Sequence, residues 1–260
     1  MEVEFCNWLE SLLLSVSTPV LKEVSAGMDA TFDAYLKPTA IIDSDHPRIV
    51  VYARAAVEDA GEEPIAKAVR LYYCVRDAIW YDPYLPFDKP EHYRASSVLE
   101  RGRAFCIGKA TLLCALGRAS GIPARVGFAD VRNHLATRQL REFMGSDVFV
   151  FHGYTEFYLE GRWVKATPAF NIELCRKHRV APLEFNGRAD SVFHPFNQDN
   201  KLFMEYVQDH GTFADIPVGR IVSACEHTYG KQRVRQWIQA YEAAAGESSR
   251  DFEREDVLEH

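Results

Sequence analysis

The 260-residue sequence contains no long apolar run and no cluster of basic residues. Its longest early apolar stretch, residues 12–14 inside residues 8–16, is far shorter than the roughly 20 residues that a membrane-spanning helix needs. The net charge of −7 comes without a basic block, so the sequence offers no electrostatic footprint for nucleic acid or for an anionic membrane surface. We therefore expect neither nucleic acid nor a membrane among its partners.

Metal-binding and redox motifs are also missing from the sequence. None of the six cysteines stands in a C-x-x-C pair, which argues against a structural zinc site and against a thioredoxin-type motif. The sequence therefore predicts no metal and no cofactor. The N-terminus carries Glu2 and Glu4 where a secretory signal peptide is basic, which indicates a cytoplasmic protein with reduced cysteines.

The composition is typical of a globular protein. Hydrophobic residues make up 47% and charged residues 26%, which excludes the disordered, collagen-like and disulfide-dense classes. The length suits one large domain or two small ones, and we find no repeat and no low-complexity stretch. We predict a single domain over residues 1–257, with a helical region at about 4–36, a core at about 66–171, a loop-rich extension after 182 with helices at 218–228 and 232–245, and a tag remnant at 258–260.

Proline and glycine mark two helices before the core. The turn cluster at residues 43–47 predicts a helix that begins at Pro47 and is capped by Ser44 or Asp45. A second helix is expected to begin at Pro64.

The most informative segment is residues 106–120, which are apolar on nearly every helical face and carry one lysine, Lys109. A helix that is apolar all round lies in the centre of a protein, and Gly121 followed by Pro123 predicts its end. Strands are expected at 124–131, 148–159 and 162–167, with a tight turn at 160–161 between the last two.

Cys106 begins the predicted central helix. The N-terminal end of a helix favours thiolate, so the pKa of this thiol is expected to fall, and the free N–H groups there can stabilise an oxyanion. Arg101 and Arg103 add positive potential. The alternative is a buried cysteine with a packing role only.

His152 lies in the middle of an apolar strand. If residues 160–161 form a two-residue turn, Tyr158 pairs with Trp163, and His152 and Thr167 become diagonal neighbours about 7–8 Å apart. Thr167 is then placed to orient the imidazole. The alternative is a hydrogen-bonded core histidine.

Other side chains are candidates for the rim of a cleft. Tyr81 and Tyr84 precede Cys106 and are interpreted either as cleft or oxyanion contacts or as packing residues. His134 is interpreted as a cleft residue or a surface residue, and the aromatic segment 193–206 as a cover of the cleft or as core.

Three segments together resemble the transglutaminase-like family, a branch of the papain-like cysteine enzymes. They are residues 67–77 followed by Tyr81-Asp82-Pro83, then Gly102-x-x-x-Cys106 with the exit Gly121-Ile122-Pro123-Ala124-Arg125, and then His152-Gly153-Tyr154-x-Glu156-x-Tyr158-Leu159-x-Gly161-x-Trp163-Val164. The resemblance covers about residues 66–171. It implies an α+β fold in which a nucleophile helix packs on an antiparallel sheet, with helical extensions at both ends of the chain.

The resemblance also implies a chemistry. Cys106 is the nucleophile and His152 the general base and acid; the thiolate attacks an amide carbonyl, and the resulting thioester passes to water or to an amine. The expected activity is that of a cysteine peptidase, amidase or acyltransferase on a peptide or protein amide, with hydrolysis by a stand-alone bacterial-type domain favoured.

The sequence departs from the family at the third catalytic position. The family places an aspartate before a proline there, and this chain has Thr167 before Pro168. Thr167 and Asn171 are the candidates to orient His152, and Asp130 and Asp190 are more distant acids. The missing acid supports an alternative function as a catalytically inactive module that binds peptides or proteins. The substrate, the choice between hydrolysis and transfer, and the oligomeric state stay open.

Overall fold

The structure is a computed structural model that describes residues 32–134, 136–243 and 252–255. Residues 4–31 of the predicted N-terminal helical region, and the predicted tag remnant 258–260, lie outside the described residues. The helices are α1 (Asp33–Leu36), α2 (Pro47–Val57), α3 (Pro64–Ala78), α4 (Pro90–Tyr93), α5 (Ala95–Arg101), α6 (Cys106–Ala119), α7 (Arg138–Met144), α8 (Ile172–Lys177), α9 (Val218–Tyr229) and α10 (Lys231–Ala243), with short 3₁₀ turns at Glu58–Ala60 and Phe252–Arg254. The strands are β1 (Trp80–Tyr81), β2 (Arg103–Ala104), β3 (Ala124–Asn133), β4 (Val148–Leu159), β5 (Arg162–Ala166) and β6 (Met204–Phe213).

Helices α2 and α3 begin at the predicted prolines, Pro47 and Pro64. The predicted cap of α2 is wrong, because the N-cap residue is His46, whose Nδ1 accepts a hydrogen bond from the N–H of Arg48 at 3.3 Å. Within the described ranges, none of the helices combines the length and the apolar character that crossing a lipid bilayer requires.

Helix α6 is the centre of the molecule, as its composition predicts. Its residues from Cys106 to Arg118 are all buried. The helix packs against β4, where the hydroxyl of Thr155 donates to the carbonyl of Ala110 at 2.8 Å. Gly121 follows with a φ of +77°, a conformation that glycine adopts without strain.

The main sheet has the antiparallel order β5-β4-β3-β6. The predicted hairpin is confirmed: Tyr158 pairs with Trp163, and the turn residues Glu160 and Gly161 have φ values of +48° and +82°. The α+β prediction, with a helix packed on an antiparallel sheet, is therefore confirmed.

Strand β6 and the short parallel pair β1–β2 were not expected from the sequence. Most side chains of β6 are exposed, and two irregularities interrupt its pairing with β3, so no alternating pattern marks it. Helices α9 and α10 follow at the predicted places. One cluster of buried side chains extends from Ile41 to Phe252.

Candidate active site

Cys106 is the first residue of α6 and follows directly after β2 and Phe105. The backbone N–H groups of Gly153, Ile107 and Cys106 itself favour the thiolate form of this side chain and act to lower the pKa of its thiol. Strand β2 is held by β1 through the pairs Trp80–Arg103 and Tyr81–Ala104. The nucleophile candidate is therefore fixed between a helix N-terminus and strand β4.

The direction in which the N–H of Gly153 points follows from the alternation of N–H groups along β4. The N–H of Tyr158 donates to Pro123 on the β3 side of β4. Since N–H groups alternate along a strand, the N–H of Gly153 points to the β5 side. Strand β5 has already ended there, because its last residue, Ala166, pairs with Thr155. The N–H of Gly153, which acts on the Cys106 thiol, therefore points into the gap that β5 leaves beside β4.

Gly153 permits strand β4 to pass close to the N-terminus of helix α6. A Cβ at this position would lie 2.9 Å from the Cα of Ile107, a backbone atom that cannot rotate away. Glycine is the only residue that brings β4 so near to the N-terminus of α6.

His152 precedes Gly153, so the backbone brings it next to Cys106. Gly153 and Thr155 face α6, and alternation therefore puts His152 on the other face of β4. Its ring meets the ring of Phe193 edge-on, with centroids 5.0 Å apart. Phe193 of the aromatic segment 193–206 thus contacts His152, and Phe193 and Phe203 also belong to the buried core. Only 4% of His152 is exposed, and among the described residues its Nε2 has no hydrogen-bond partner.

Burial lowers the pKa of His152 to about 3, so the imidazole is neutral. Burial also raises the pKa of the Cys106 thiol to about 11, although the three N–H groups act in the opposite direction. The predicted lowering of this pKa is therefore wrong for the closed site.

Arg101 and Arg103, which were expected to add positive potential at Cys106, have other partners. Arg101 donates to the carbonyl of Arg103, and the guanidinium of Arg103 lies 3.5 Å from Asp82.

Thr167 follows Ala166, the last residue of β5, which pairs with Thr155 of β4. Its hydroxyl donates to the carbonyl of Ser191 at 2.7 Å. The amide of Asn171 accepts from the N–H of Tyr81 at 3.4 Å and donates to Glu173 at 3.3 Å. In the described structure neither side chain is hydrogen bonded to His152.

The two distant acids also have other partners. Asp190 accepts a hydrogen bond from the N–H of Lys165 at 2.9 Å. Asp130 lies 2.7 Å from Nε2 of His210 and accepts from the N–H of Phe151 at 2.8 Å. Phe151 has a φ of +53°, so Asp130 holds the unusual backbone that leads into His152. The sequence contains no pattern that assigns this positioning role to Asp130.

A cavity of about 90 Å³ adjoins Cys106. Tyr81 and Tyr84 line one side, and Ile221, Tyr229 and Trp237 of helices α9 and α10 line the other. Cys106 itself is only 8% exposed, so the C-terminal helices close the site.

Two further features lie at the border of the site. Phe252 packs on the rings of Tyr81 and Tyr84, and Glu255 accepts hydrogen bonds from the hydroxyls of Tyr84 and Thr137, both at 2.5 Å. His134 lies outside the cavity, 3.3 Å from Glu205, which agrees with its interpretation as a surface residue.

Metal chemistry was not expected, and the described residues contain no group of three or more His, Cys, Asp or Glu side chains that could hold a metal ion.

The low pKa of His152 predicts a pH-dependent stability. Unfolded histidine takes up a proton near pH 6.5 and folded His152 only near pH 3, so stability is lost as the pH falls through this window. At pH 5 the loss relative to pH 7 is expected to be about 2 kcal/mol. Urea unfolding at both pH values measures it. His152→Gln should remove this loss and His227→Gln, at an exposed site on α9, should keep it; equal curves for His152→Gln and the wild type would contradict the buried neutral imidazole.

The fold and the site define an α+β protein with a thiol at the edge of its sheet and a histidine on the adjoining strand. Residues 52–168 match the model of the transglutaminase-like superfamily. This segment contains Cys106, His152 and Thr167, and its match to the transglutaminase-like superfamily agrees with the resemblance of its motifs. No curated protein sequence matches the chain.

Three solved structures are similar over part of their length. A "putative cysteine protease" from Cytophaga hutchinsonii is 16% identical with a TM-score of 0.43, and the match covers 72% of this chain and 48% of that one. A "putative protease" from Parabacteroides distasonis is 17% identical with a TM-score of 0.35, covering 53% and 25%. The transglutaminase of red sea bream is 13% identical with a TM-score of 0.35, covering 84% and 43%. The matches thus span at most about half the length of these structures.

Proposed function

We propose that the protein is a cysteine enzyme that cleaves or transfers an amide or isopeptide bond of a peptide or protein in the cytoplasm. The observation that supports this most is the position of Cys106. Cys106 begins the buried helix α6 and adjoins a cavity. Backbone N–H groups favour its thiolate, and one of them belongs to Gly153, the residue after His152.

The proposed reaction uses the thiol of Cys106, the imidazole of His152 and the N–H groups at the start of α6. The imidazole of His152 takes the thiol proton, and Sγ attacks the amide carbonyl. The N–H groups of Cys106 and Ile107 donate to the oxyanion. The C–N bond breaks, the leaving amine receives the proton from His152, and the thioester is then transferred to water or to an amine.

Thr167 is the proposed positioning residue for the imidazole. The hydroxyl of Thr167 donates its proton to the carbonyl of Ser191. The hydroxyl oxygen still has lone pairs that can accept a hydrogen bond from an imidazole N–H. A hydroxyl stabilises imidazolium less than a carboxylate does, so slow turnover is expected.

A second function, that of an inactive binding module, is supported by a different observation. In the described structure no carboxylate is hydrogen bonded to His152, and burial raises the pKa of Cys106 to about 11. A binding module has no need of a thiolate.

The pH dependence of iodoacetamide alkylation distinguishes the two functions. Peptide mass spectrometry locates the label on the wild type, on His152→Ala and on a control variant, His178→Ala. For the enzyme, we expect Cys106 to react with a midpoint below the roughly 8.5 of an ordinary thiol, and at least tenfold more slowly at pH 7 without His152. Cys114, buried in the same helix, serves as an internal control.

The opposite result is equally definite. If Cys106 is inert, or if its rate follows the same pH profile in the wild type and in His152→Ala, the two residues do not form a catalytic pair and the binding module is favoured.

A further inference from the structure

We propose that the cavity beside Cys106 selects an uncharged, branched aliphatic acyl group of about four or five carbons as the acyl part of the substrate. This inference rests on the proposed function and specifies its substrate class. It follows from the charge, the polar groups and the size of the cavity.

Among the described residues, none of the side chains that line the cavity is charged. The walls come from the loop at Tyr81–Phe87, from α7, from β4 and from the two C-terminal helices, with Leu85, Val150 and Ile238 among the aliphatic members. A carboxylate or an ammonium in this space would lose its hydration without gaining an ion pair, which costs far more than an apolar group of the same size.

Three of the polar groups on the lining side chains have protein partners. The hydroxyl of Tyr229 donates to the carbonyl of Val148 and accepts from the N–H of Val150, both at 3.0 Å. The indole N–H of Trp237 donates to Phe143 at 3.2 Å. The hydroxyl of Tyr84 donates to Glu255. These groups face protein partners, so the cavity offers an entering group mainly apolar contact.

The volume sets the size of the group. The cavity measures about 90 Å³, whereas a cavity of roughly 150 Å³ is known to admit a benzene ring. A branched aliphatic chain therefore fits next to Sγ as the structure stands, and an aromatic ring requires the wall to move.

Acylation by p-nitrophenyl esters tests this selection. Sγ attacks the ester carbonyl, an S–C bond forms, the C–O bond to p-nitrophenolate breaks, and the thiol proton passes through His152 to solvent. The released p-nitrophenolate gives the rate, and the mass of the Cys106 peptide identifies the acyl group. Each rate is divided by that of the same ester with glutathione.

We expect the 3-methylbutanoate to acylate Cys106 about 10 to 60 times faster than the acetate, since three more carbons are buried. The hydrogen succinate and the phenylacetate should both react more slowly than the 3-methylbutanoate. Ile238→Ala enlarges the cavity, so the ratio of the phenylacetate rate to the 3-methylbutanoate rate should rise in this variant. Val234→Ala, a buried residue of the same helix that does not line the cavity, should leave this ratio unchanged.

The possible failures are distinguishable. If the esters acylate Cys106 at equal corrected rates and the reaction requires His152, the proposed function stands and the aliphatic selection is overturned. If Ile238→Ala and Val234→Ala give the same ratio, the cavity is not the acyl site. If no ester acylates Cys106, both the selection and the proposed function are overturned.

Discussion

Gly153→Ala is expected to slow alkylation of Cys106 by about ten- to a hundredfold at pH 7, because the N–H of Gly153 favours the thiolate and a hydrogen bond to a charged group is worth about 1.5–3 kcal/mol. The same change should lower the free energy of unfolding by about 1–3 kcal/mol, the usual cost of overpacking. The new Cβ would lie 2.9 Å from the Cα of Ile107 and 3.3 Å from its N. Strand β4 must then move away from α6, and the N–H of Gly153, which favours the thiolate of Cys106, moves with it.

Gly219→Ala is the matched control for Gly153→Ala. A Cβ at Gly219 meets no atom within 4 Å, and the residue lies in helix α9. Alanine there should leave alkylation unchanged and add about 0.5–1 kcal/mol of stability. Urea unfolding and peptide mass spectrometry measure both effects. Wild-type stability and reactivity in Gly153→Ala would contradict the close approach of β4 to Cys106.

Lys109→Ala is expected to lower the free energy of unfolding by about 3–5 kcal/mol, from two unsatisfied carbonyls and a cavity. Lys109 is fully buried in α6, and its Nζ donates to the carbonyl of Arg76 at 2.8 Å and to that of Ile79 at 2.6 Å. These carbonyls end helix α3, which leads into β1. The lysine thus joins α6 to the segment that supports Cys106.

The pH dependence of stability gives a second measurement for Lys109. Burial lowers its pKa to about 7 from 10.5, so the unfolded chain binds more protons than the folded one between these values. Stability should therefore rise with pH in this window, by about 1.4 kcal/mol per unit. Lys109→Met, compared at pH 7 and pH 9, should lack this rise.

Lys67→Met is the control for the lysine change, because the partner of Lys67 is the exposed Glu62. A pair of this kind contributes at most about 1 kcal/mol. If Lys109→Met showed the same pH dependence as the wild type, the buried amine would not titrate as we expect.

The sequence predicts the elements with a strong local pattern. Helix α6 is apolar on every face and is followed by Gly121 and Pro123, and both its start and its end agree with the structure to within a residue. The hairpin is fixed by its turn and by alternation, so the pair Tyr158–Trp163 was predictable. Strand β6 was not, because its exposed side chains and its pairing irregularities leave no period to detect.

The positions of Cys106 and His152 in the fold were predictable from the sequence, and their surroundings were not. The motifs place Cys106 and His152 at one edge, and the structure brings their backbones together there. The pKa of Cys106 depends on burial by residues far away in the sequence, such as Ile221 and Trp237, and no local pattern reports that contact. For the same reason the partner of Thr167, Ser191, could not be foreseen.

The closure of the cavity by α9 and α10 has a consequence for the order of events during synthesis. Ile221 leaves the ribosome more than a hundred residues after Cys106. At translation speeds of about 5–20 residues per second, the nascent thiol spends roughly 5 to 20 s without its cover. In that interval its reactivity is set by the partly built helix and sheet, and the shielded thiol of the finished protein is acquired only in the last stage of folding.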